Sequence, residues 1–301
     1  METRWGIDLG GTKIEGVVLE AANLQNTLCR IRVPTEQEGG HLHILRQVQK
    51  LVRQMEADTG ISPKVIGMGT PGTTDPSTGL LKNSNTVVLN GQPVQQQLQE
   101  LIGPRFVLSN DANCFAIAEA TMGAVLDLGY TPEVVVGLIL GTGVGSGVVV
   151  RGQALQGIHG IAGEWGHNTL IPNGNLCYCG KKGCVETVIS GPALQRHYKA
   201  ISGTFLQMPE IVKRARGGSD TYATQTLQRL VQYFGKAIAN IVNVLDPEVI
   251  VIGGGVGNID ELYSEGAAAT LPHVFNPQLK TKFVRPRLGD SAGVFGAAML
   301  G

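Results

Sequence analysis

The chain of 301 residues has no excess of either charge: 24 Lys and Arg balance 24 Asp and Glu. No basic block interrupts it, so neither nucleic acid nor an anionic membrane surface is an expected partner, since both are gripped through clustered cations. Long apolar runs are also missing. A stretch such as Val134 to Leu140 is far too short to span a bilayer. No charged-then-apolar leader is expected, because Trp5 to Asp8 already reads as a strand, and the expected location is the cytoplasm. No Ser-rich or Pro-rich linker divides the sequence. Two common nucleotide signatures are absent as well, a GxxxxGK[ST] loop and a GxGxxG opening a helix. The cysteines number five, an odd count that argues against a disulfide framework and suits a reducing compartment.

Glycine is what the chain has in quantity, with 42 residues gathered into short turns after apolar strands. Arg4 to Glu20 (RWGIDLGGTKIEGVVLE) reads as strand, glycine turn, strand. The turn Gly10-Gly11-Thr12 could present backbone N–H groups to an anion, or be an ordinary hairpin turn. Val134 to Val150 repeats the pattern around Gly141-Thr142-Gly143-Val144-Gly145-Ser146-Gly147. Ile7 to Leu19 matches Ile139 to Arg151 as an internal duplication, and two such hairpins facing one another would make a phosphate clamp. Val249 to Ile252 is a further apolar strand. It leads into Gly253-Gly254-Gly255-Val256, a glycine turn expected to open a helix and admit a nucleotide's base or sugar at close range.

Between these stretches, Leu42 to Thr59 carries helical apolar spacing up to Gly60. Val65 to Thr70 is a strand that runs into Pro71-Gly72. Thr73 to Asn90, with Pro76, Gly79, Asn83, Ser84 and Asn85, reads either as a binding loop whose amides meet hydroxyls or as a plain surface loop. Val94 to Ile102 is a short helix. The strand Arg105 to Asn110 is aimed at Asp111, and Ala112 to Met122 is read as a strongly amphipathic helix. Asp111 is either an N-cap or, with Asn110, a polar pair facing a ligand crevice. Ser190 to Leu206 begins a helical region, Thr221 to Leu245 is a long helix stopped by Asp246-Pro247, and Asp290 to Leu300 is a final small-residue helix. The expected class is α/β, in two lobes. Residues 1–122, joined by the helix 290–301, form a smaller lobe, and residues 123–289 form a larger one.

The densest chemistry lies in Gly163 to Glu186, GEWGHNTLIPNGNLCYCGKKGCVE. His167, Cys177, Cys179 and Cys184 are the ligand types of a closed, tetrahedral structural zinc site. A metal clip would order a Gly- and Asn-rich loop that cannot build its own core. A disulfide or three ordinary buried cysteines are the alternatives. Glu164 and Glu186 bracket the cluster and are well placed to grip hydroxyl groups.

Taken together, these motifs resemble the ROK family of sugar kinases over essentially the whole chain. DLGGTK at Asp8 to Lys13 and GTGVGSG at Gly141 to Gly147 look like its two phosphate motifs. NDAN at Asn110 to Asn113 resembles the catalytic segment, GEWGH at Gly163 to His167 the sugar-binding segment, and CYCGKKGCVE at Cys177 to Glu186 the zinc loop. The resemblance implies an actin/hexokinase-like (ribonuclease H-like) fold with sugar between the lobes and ATP on the larger lobe. It implies Asp111 as general base, and Gly72, Asn85, Asn110, Asp111, Glu164, His167 and Glu186 as sugar contacts. The phosphates of ATP would meet Asp8, Gly10, Gly11, Thr12, Lys13, Gly141, Thr142 and Gly143, with Asp8 orienting Mg²⁺, and the adenosine would meet Gly254 and Gly255. With seven residues ahead of Asp8, the kinase branch is expected rather than the family's DNA-binding repressors. KNSNTVVLNGQP at Lys82 to Pro93 looks most like bacterial manno(fructo)kinases, so fructose or mannose is the expected sugar, phosphorylated at the 6-hydroxyl. Glucokinase or an N-acetylglucosamine or N-acetylmannosamine kinase is the alternative, and a non-catalytic sugar sensor a distant one. The family also suggests a homodimer or homotetramer.

Overall fold

The structure, a computed structural model, describes residues 2–301; Met1, counted in the expected smaller lobe, lies outside the described residues. The chain opens as an antiparallel meander of β1 (Thr3–Leu9), β2 (Lys13–Glu20) and β3 (Asn23–Pro34). Then come α1 (His41–Thr59), β4 (Val65–Thr70), the short ribbon β5 (Thr73–Thr74) and β6 (Leu81–Lys82), α2 (Val94–Ile102), β7 (Arg105–Asn110) and α3 (Asp111–Thr121). The first sheet has the order β3-β2-β1-β4-β7, with β4 parallel to both β1 and β7. Ile14 and Val18 of β2 join Trp5, Ile7 and Leu9 in one core with Leu45, Val48, Leu51 and Val52 of α1. The intervening residues of each strand turn to the other face, as a period of two requires. α1 stops where the spacing predicts. Gly60 takes the left-handed conformation (φ 67°) and returns its N–H to Glu56 O at 2.8 Å.

The chain continues with β8 (Val134–Leu140), β9 (Val144–Val150) and β10 (Gln153–Ala154), and then α4 (Glu186–Ile189), α5 (Gly191–Ser202), α6 (Met208–Arg216) and α7 (Thr221–Leu245). β11 (Val249–Gly253), α8 (Glu265–Thr270) and β12 (Lys282–Val284) follow. The second sheet has the order β10-β9-β8-β11-β12, with β11 parallel to β8 and β12. α7 buries Leu230, Val231, Phe234, Ile238, Ile241 and Val242 on one stripe. Its start is fixed by Asp220, whose carboxylate accepts from the N–H groups of Tyr222 and Ala223, both at 3.0 Å.

Several readings change. The glycine turn after β11 does not open a helix. Gly254 takes φ 84°, and Val256 N–H goes to Leu140 O at 2.8 Å instead of a helical partner. The first regular helix after it is α8. α3 is not amphipathic: Ala112 to Glu119 are buried without a break, because its small side chains let other elements pack on all sides. The duplicated hairpins also align one residue away from the sequence match. Both turns hold three residues, 10–12 and 141–143, so Leu9 corresponds to Leu140.

The last helix, α9 (Ala292–Ala298), is shorter than Asp290 to Leu300. It packs Val294 and Ala298 against Val17 and Leu19, covering the other face of the first sheet. The approach is backbone to backbone. A Cβ on Gly67 would fall on the Ala297 carbonyl, and one on Gly296 on the Cys114 carbonyl. Much of the glycine is therefore packing glycine, not turn glycine. The chain forms two compact units, one running through Tyr130 with Gly147–Ala162 and Arg287–Gly301, the other Thr131–Ser146 with Gly163–Pro286. The division differs in outline from 1–122 and 123–289, since β10 packs on α3 and carries residues 147–162 into the first unit. The returning chain is pinned there by buried Glu119, whose carboxylate accepts from the N–H groups of Ala124 (2.8 Å), Arg287 (3.0 Å) and Leu288 (2.9 Å).

Candidate active site

In the first unit, Gly10 N–H closes the turn onto Lys13 O at 3.0 Å. Fully buried Thr35 braces it twice: Oγ1 donates to Gly10 O at 2.7 Å, and its N–H donates to Thr12 O at 3.0 Å. Thr12 and Lys13 remain exposed. Asp8 leaves β1 on the α9 face, beside Gly293, where a Cβ would lie 2.9 Å from its Oδ2. Burial pushes the Asp8 carboxyl up to about 6, Asp111 and Glu15 push the same way, and Lys13 opposes them. A carboxylate held so dry is ready for a cation to share its charge.

Asp111 is the first residue of α3. The cap is Asn110, whose Oδ1 accepts from Ala112 N–H at 2.8 Å and whose amide donates to Gly72 O at 3.3 Å. Asp111 Oδ1 accepts from the same N–H at 2.8 Å, so α3 has a cap without it. Asp111 is exposed as a residue, yet the protein around it desolvates its carboxyl. That desolvation pushes its pKa up, against the hydrogen bonds from Ala112 and Asn110. Gly72 (φ 97°) is wedged against Lys82 and Ser84 in a space that no side chain could enter. The neighbouring loop is stapled by Asn90, which accepts from Ser84 N–H at 2.8 Å and donates to Ser84 O at 2.9 Å, leaving Asn85 exposed.

In the second unit, Gly141 N–H closes its turn on Gly143 O at 3.0 Å, and Gly141 O accepts from Gly191 N–H at 2.8 Å. Gly143 lies against Glu186, whose Oε2 accepts from Val144 N–H at 3.0 Å. Gly141, Thr142, Gly255 and Val256 line a cleft of about 660 Å³ together with Gln195, Gln207, Met208 and Arg216. Gly254 stands behind the cleft with its Cα packed on the Leu140 backbone.

The four expected ligands come together in the same unit. The donor atoms of His167, Cys177, Cys179 and Cys184 all lie within 4.8 Å of one another. Cys177 Sγ is 3.6 Å from His167 Nδ1, and Cys179 Sγ is 3.6 Å from Cys184 Sγ. Thiolates at about 2.3 Å and imidazole at about 2.0 Å from one ion stand roughly 3.5–3.8 Å apart in a tetrahedron, so the set fits. The same sulfur separation is far beyond a disulfide bond of about 2.05 Å. Burial pushes the Cys184 thiol up to about 12, with Cys179 and Cys177 adding to the rise, and a divalent cation reverses that logic by deprotonating coordinating thiols. The other ring nitrogen of His167, Nε2, lies 3.0 Å from Tyr178 Oη and 4.0 Å from Glu164 Oε2.

The model of the ROK family matches residues 4–301. The chain belongs to the ROK family. It is 35% identical over 312 aligned positions to an N-acetyl-D-glucosamine kinase of Yersinia enterocolitica, with 98% of each chain covered. Among solved structures, a ROK hexokinase from Thermus thermophilus matches with a TM-score of 0.88 at 33% identity, covering 100% of this chain and 98% of that one. A ROK glucokinase from Streptomyces griseus, solved with glucose and AMPPNP, matches with a TM-score of 0.77 at 26% identity, covering 100% and 99%. The fold is thus the actin/hexokinase-like α/β fold of these ROK neighbours.

Several residues of this ROK chain escaped the sequence reading. Thr35 and Glu119 brace backbone from a distance in sequence, and no motif announces such a partner. Thr86 is buried with its hydroxyl unpartnered, and a Cβ added at Gly11 would lie 3.7 Å from that hydroxyl. Tyr178 was legible only as the residue between Cys177 and Cys179.

Proposed function

We propose that the chain transfers the γ-phosphoryl group of ATP to a hexose hydroxyl, the 6-hydroxyl, with N-acetyl-D-glucosamine as the leading sugar. The observation that carries the reading is Asp111: a carboxylate at a helix start that the helix does not need as a cap. Its raised pKa suits a base that takes a proton from the attacking hydroxyl. Phosphoryl transfer asks the protein chiefly for positioning and charge stabilisation. Here the N–H groups of turns 10–12 and 141–143 receive the β- and γ-phosphates, with the Thr12 and Thr142 hydroxyls and Lys13 in support. The cleft beside Gly255 takes the adenosine.

Mg²⁺, held near Asp8 through water, would neutralise phosphate charge. Zinc, held by His167, Cys177, Cys179 and Cys184, would supply order to the loop and fix the His167 tautomer. Glu164 and His167 Nε2–H then accept from and donate to sugar hydroxyls, joined by Asn85, Asn110 and Glu186. The names of the relatives favour N-acetyl-D-glucosamine or glucose over the fructose or mannose that the Lys82 to Pro93 loop suggests.

The test is ADP release with ATP and Mg²⁺ against N-acetylglucosamine, N-acetylmannosamine, glucose, mannose and fructose. The highest kcat/KM is expected for N-acetylglucosamine, whereas a preference for fructose would restore the loop reading. Asp111→Asn should retain sugar binding and lose about 10²–10⁴ in kcat. Turnover within tenfold of the parent would remove Asp111 as the base.

A further inference from the structure

His167 has one nitrogen on each of two tasks. Nδ1 faces the thiol cluster, 3.6 Å from Cys177 Sγ. With that lone pair given to a metal, the ring is neutral and its single proton sits on Nε2. In this structure the partner of Nε2 is the Tyr178 hydroxyl at 3.0 Å. The two rings meet edge to face, with centroids 5.1 Å apart and planes at 88°. Tyr178 hangs between Cys177 and Cys179, so its backbone is fixed by the loop. Its side chain is nonetheless 79% exposed and has room to leave.

Glu164 Oε2 stands 4.0 Å from the same nitrogen. A sugar hydroxyl seated between the two could accept from Nε2–H and donate to the carboxylate at once. A phenol approaching from the Cys loop and a hydroxyl approaching from solution thus compete for one proton. This argument rests on the proposed reading of His167 as a sugar contact.

We propose that Tyr178 is a gate on sugar binding: its phenol caps His167 Nε2–H in the sugar-free protein and must be displaced by a sugar hydroxyl. Tyr178 then sets how tightly the sugar binds, and the chemistry at the phosphoryl group does not involve it. The gate also discriminates. A sugar that presents a hydroxyl to both Nε2–H and Glu164 recovers the lost hydrogen bond on displacing the phenol. A sugar that cannot do so leaves the phenol in place.

Tyr178→Phe in the full-length, metal-loaded protein keeps the ring and deletes the competing hydroxyl. Sugar affinity is read by calorimetry without nucleotide, and KM and kcat by the ADP-release assay. Removal of about one competing hydrogen bond should lower Kd and KM by roughly three- to tenfold, with kcat unchanged. A fluorotyrosine placed at position 178 should shift its ¹⁹F resonance when sugar is added, whether or not ATP is present. A raised Kd in Tyr178→Phe would overturn the gate and make Tyr178 a sugar contact. An unchanged Kd, or a silent ¹⁹F signal on saturation with sugar, would overturn it too. If the parent protein binds none of the sugars tried, the kinase reading fails and takes the gate with it. If the parent binds sugar and the variant binds no tighter, the gate alone falls.

Discussion

The two glycine hairpins share their length and differ in closure and support. Each is a three-residue turn whose first N–H closes onto a carbonyl at 3.0 Å. Gly10 N–H reaches Lys13 O, one residue past its turn, and Gly141 N–H reaches Gly143 O, inside its turn. In the first, the carbonyl of the opening glycine accepts from a side chain, Thr35 Oγ1; in the second it accepts from backbone, Gly191 N–H. The first has an acid one residue from the strand end, Asp8, where the second has Ile139. The second is tied through Glu186 to a chain segment that begins at the metal-type loop, and it opens on a cleft. Duplication therefore copied a way of presenting N–H groups. The acid lies beside one copy and the cleft proposed for adenosine beside the other.

Removing the charge is the sharpest way to break this asymmetry. Asp8→Asn should reduce kcat by about 10²-fold or more, on the scale of losing a positioned charge in a phosphoryl-transfer site, while nucleotide binding to the second hairpin persists. Stability should move the opposite way. The Asp8 pKa is raised to about 6 from 3.8, so the folded state holds the proton more tightly than the unfolded state. The ionised carboxylate costs stability, fully above pH 6 and not at all below about 3.8. Asn removes that cost, by as much as about 3 kcal/mol at neutral pH. Thermal melts of both proteins between pH 4 and 8 would check this, the gap opening as pH rises. Activity of the parent should fall as pH drops through about 6, because Asp8 must be ionised to attract a cation.

Metal removal probes the second hairpin's attachment. Cys184→Ser, or stripping with a chelator, should loosen residues 167–186 and with them the Glu186 bond to Val144 N–H. Fluorescent-nucleotide affinity should drop about tenfold or more, sugar binding should weaken, and the first hairpin's Mg²⁺ dependence should keep its form. Equal damage to both hairpins would show that the loop acts on the whole chain.

A smaller change separates two roles for Glu186. Glu186→Ala leaves Val144 N–H without its acceptor, a loss of about 1–3 kcal/mol. Were support of the turn its main task, KM for ATP would rise more than KM for sugar; the reverse would make it chiefly a sugar contact.

The sequence made some of this legible and not the rest, for physical reasons. Apolar spacing placed α7 to the residue and α1 to within one residue at its start, because one buried stripe and a left-handed stop define such helices. The four metal-type ligands were visible because zinc chemistry needs those side chains at short range. β3 was missed because it alternates weakly, with Gln25, Asn26 and Thr27 exposed in its first half. α3 was misread because Ala is as suited to a buried helix as to a surface one. Gly6 and Gly67 read as ordinary strand residues and serve to bring α9 onto the sheet, while Gly296 lets α9 meet the backbone of α3 at Cys114. That role depends on a partner more than two hundred residues away for the two strand glycines, which no local pattern reveals.

The finest test of the hairpin comparison is Thr35→Val. The substitution keeps the volume of a fully buried side chain and deletes one donor to Gly10 O. Thr35 N–H still reaches Thr12 O at 3.0 Å, so the turn is loosened and not released. The cost is about 1 kcal/mol, or about 2 °C in Tm for a chain of this size. KM for ATP should rise by a few-fold through the first hairpin alone. No side-chain substitution can do the same to the second, because Gly141 O is held by the backbone of Gly191. A Thr35→Val protein with unchanged KM would mean that the first hairpin is shaped by its closing bond, Gly10 N–H to Lys13 O, and that the two copies are held alike after all.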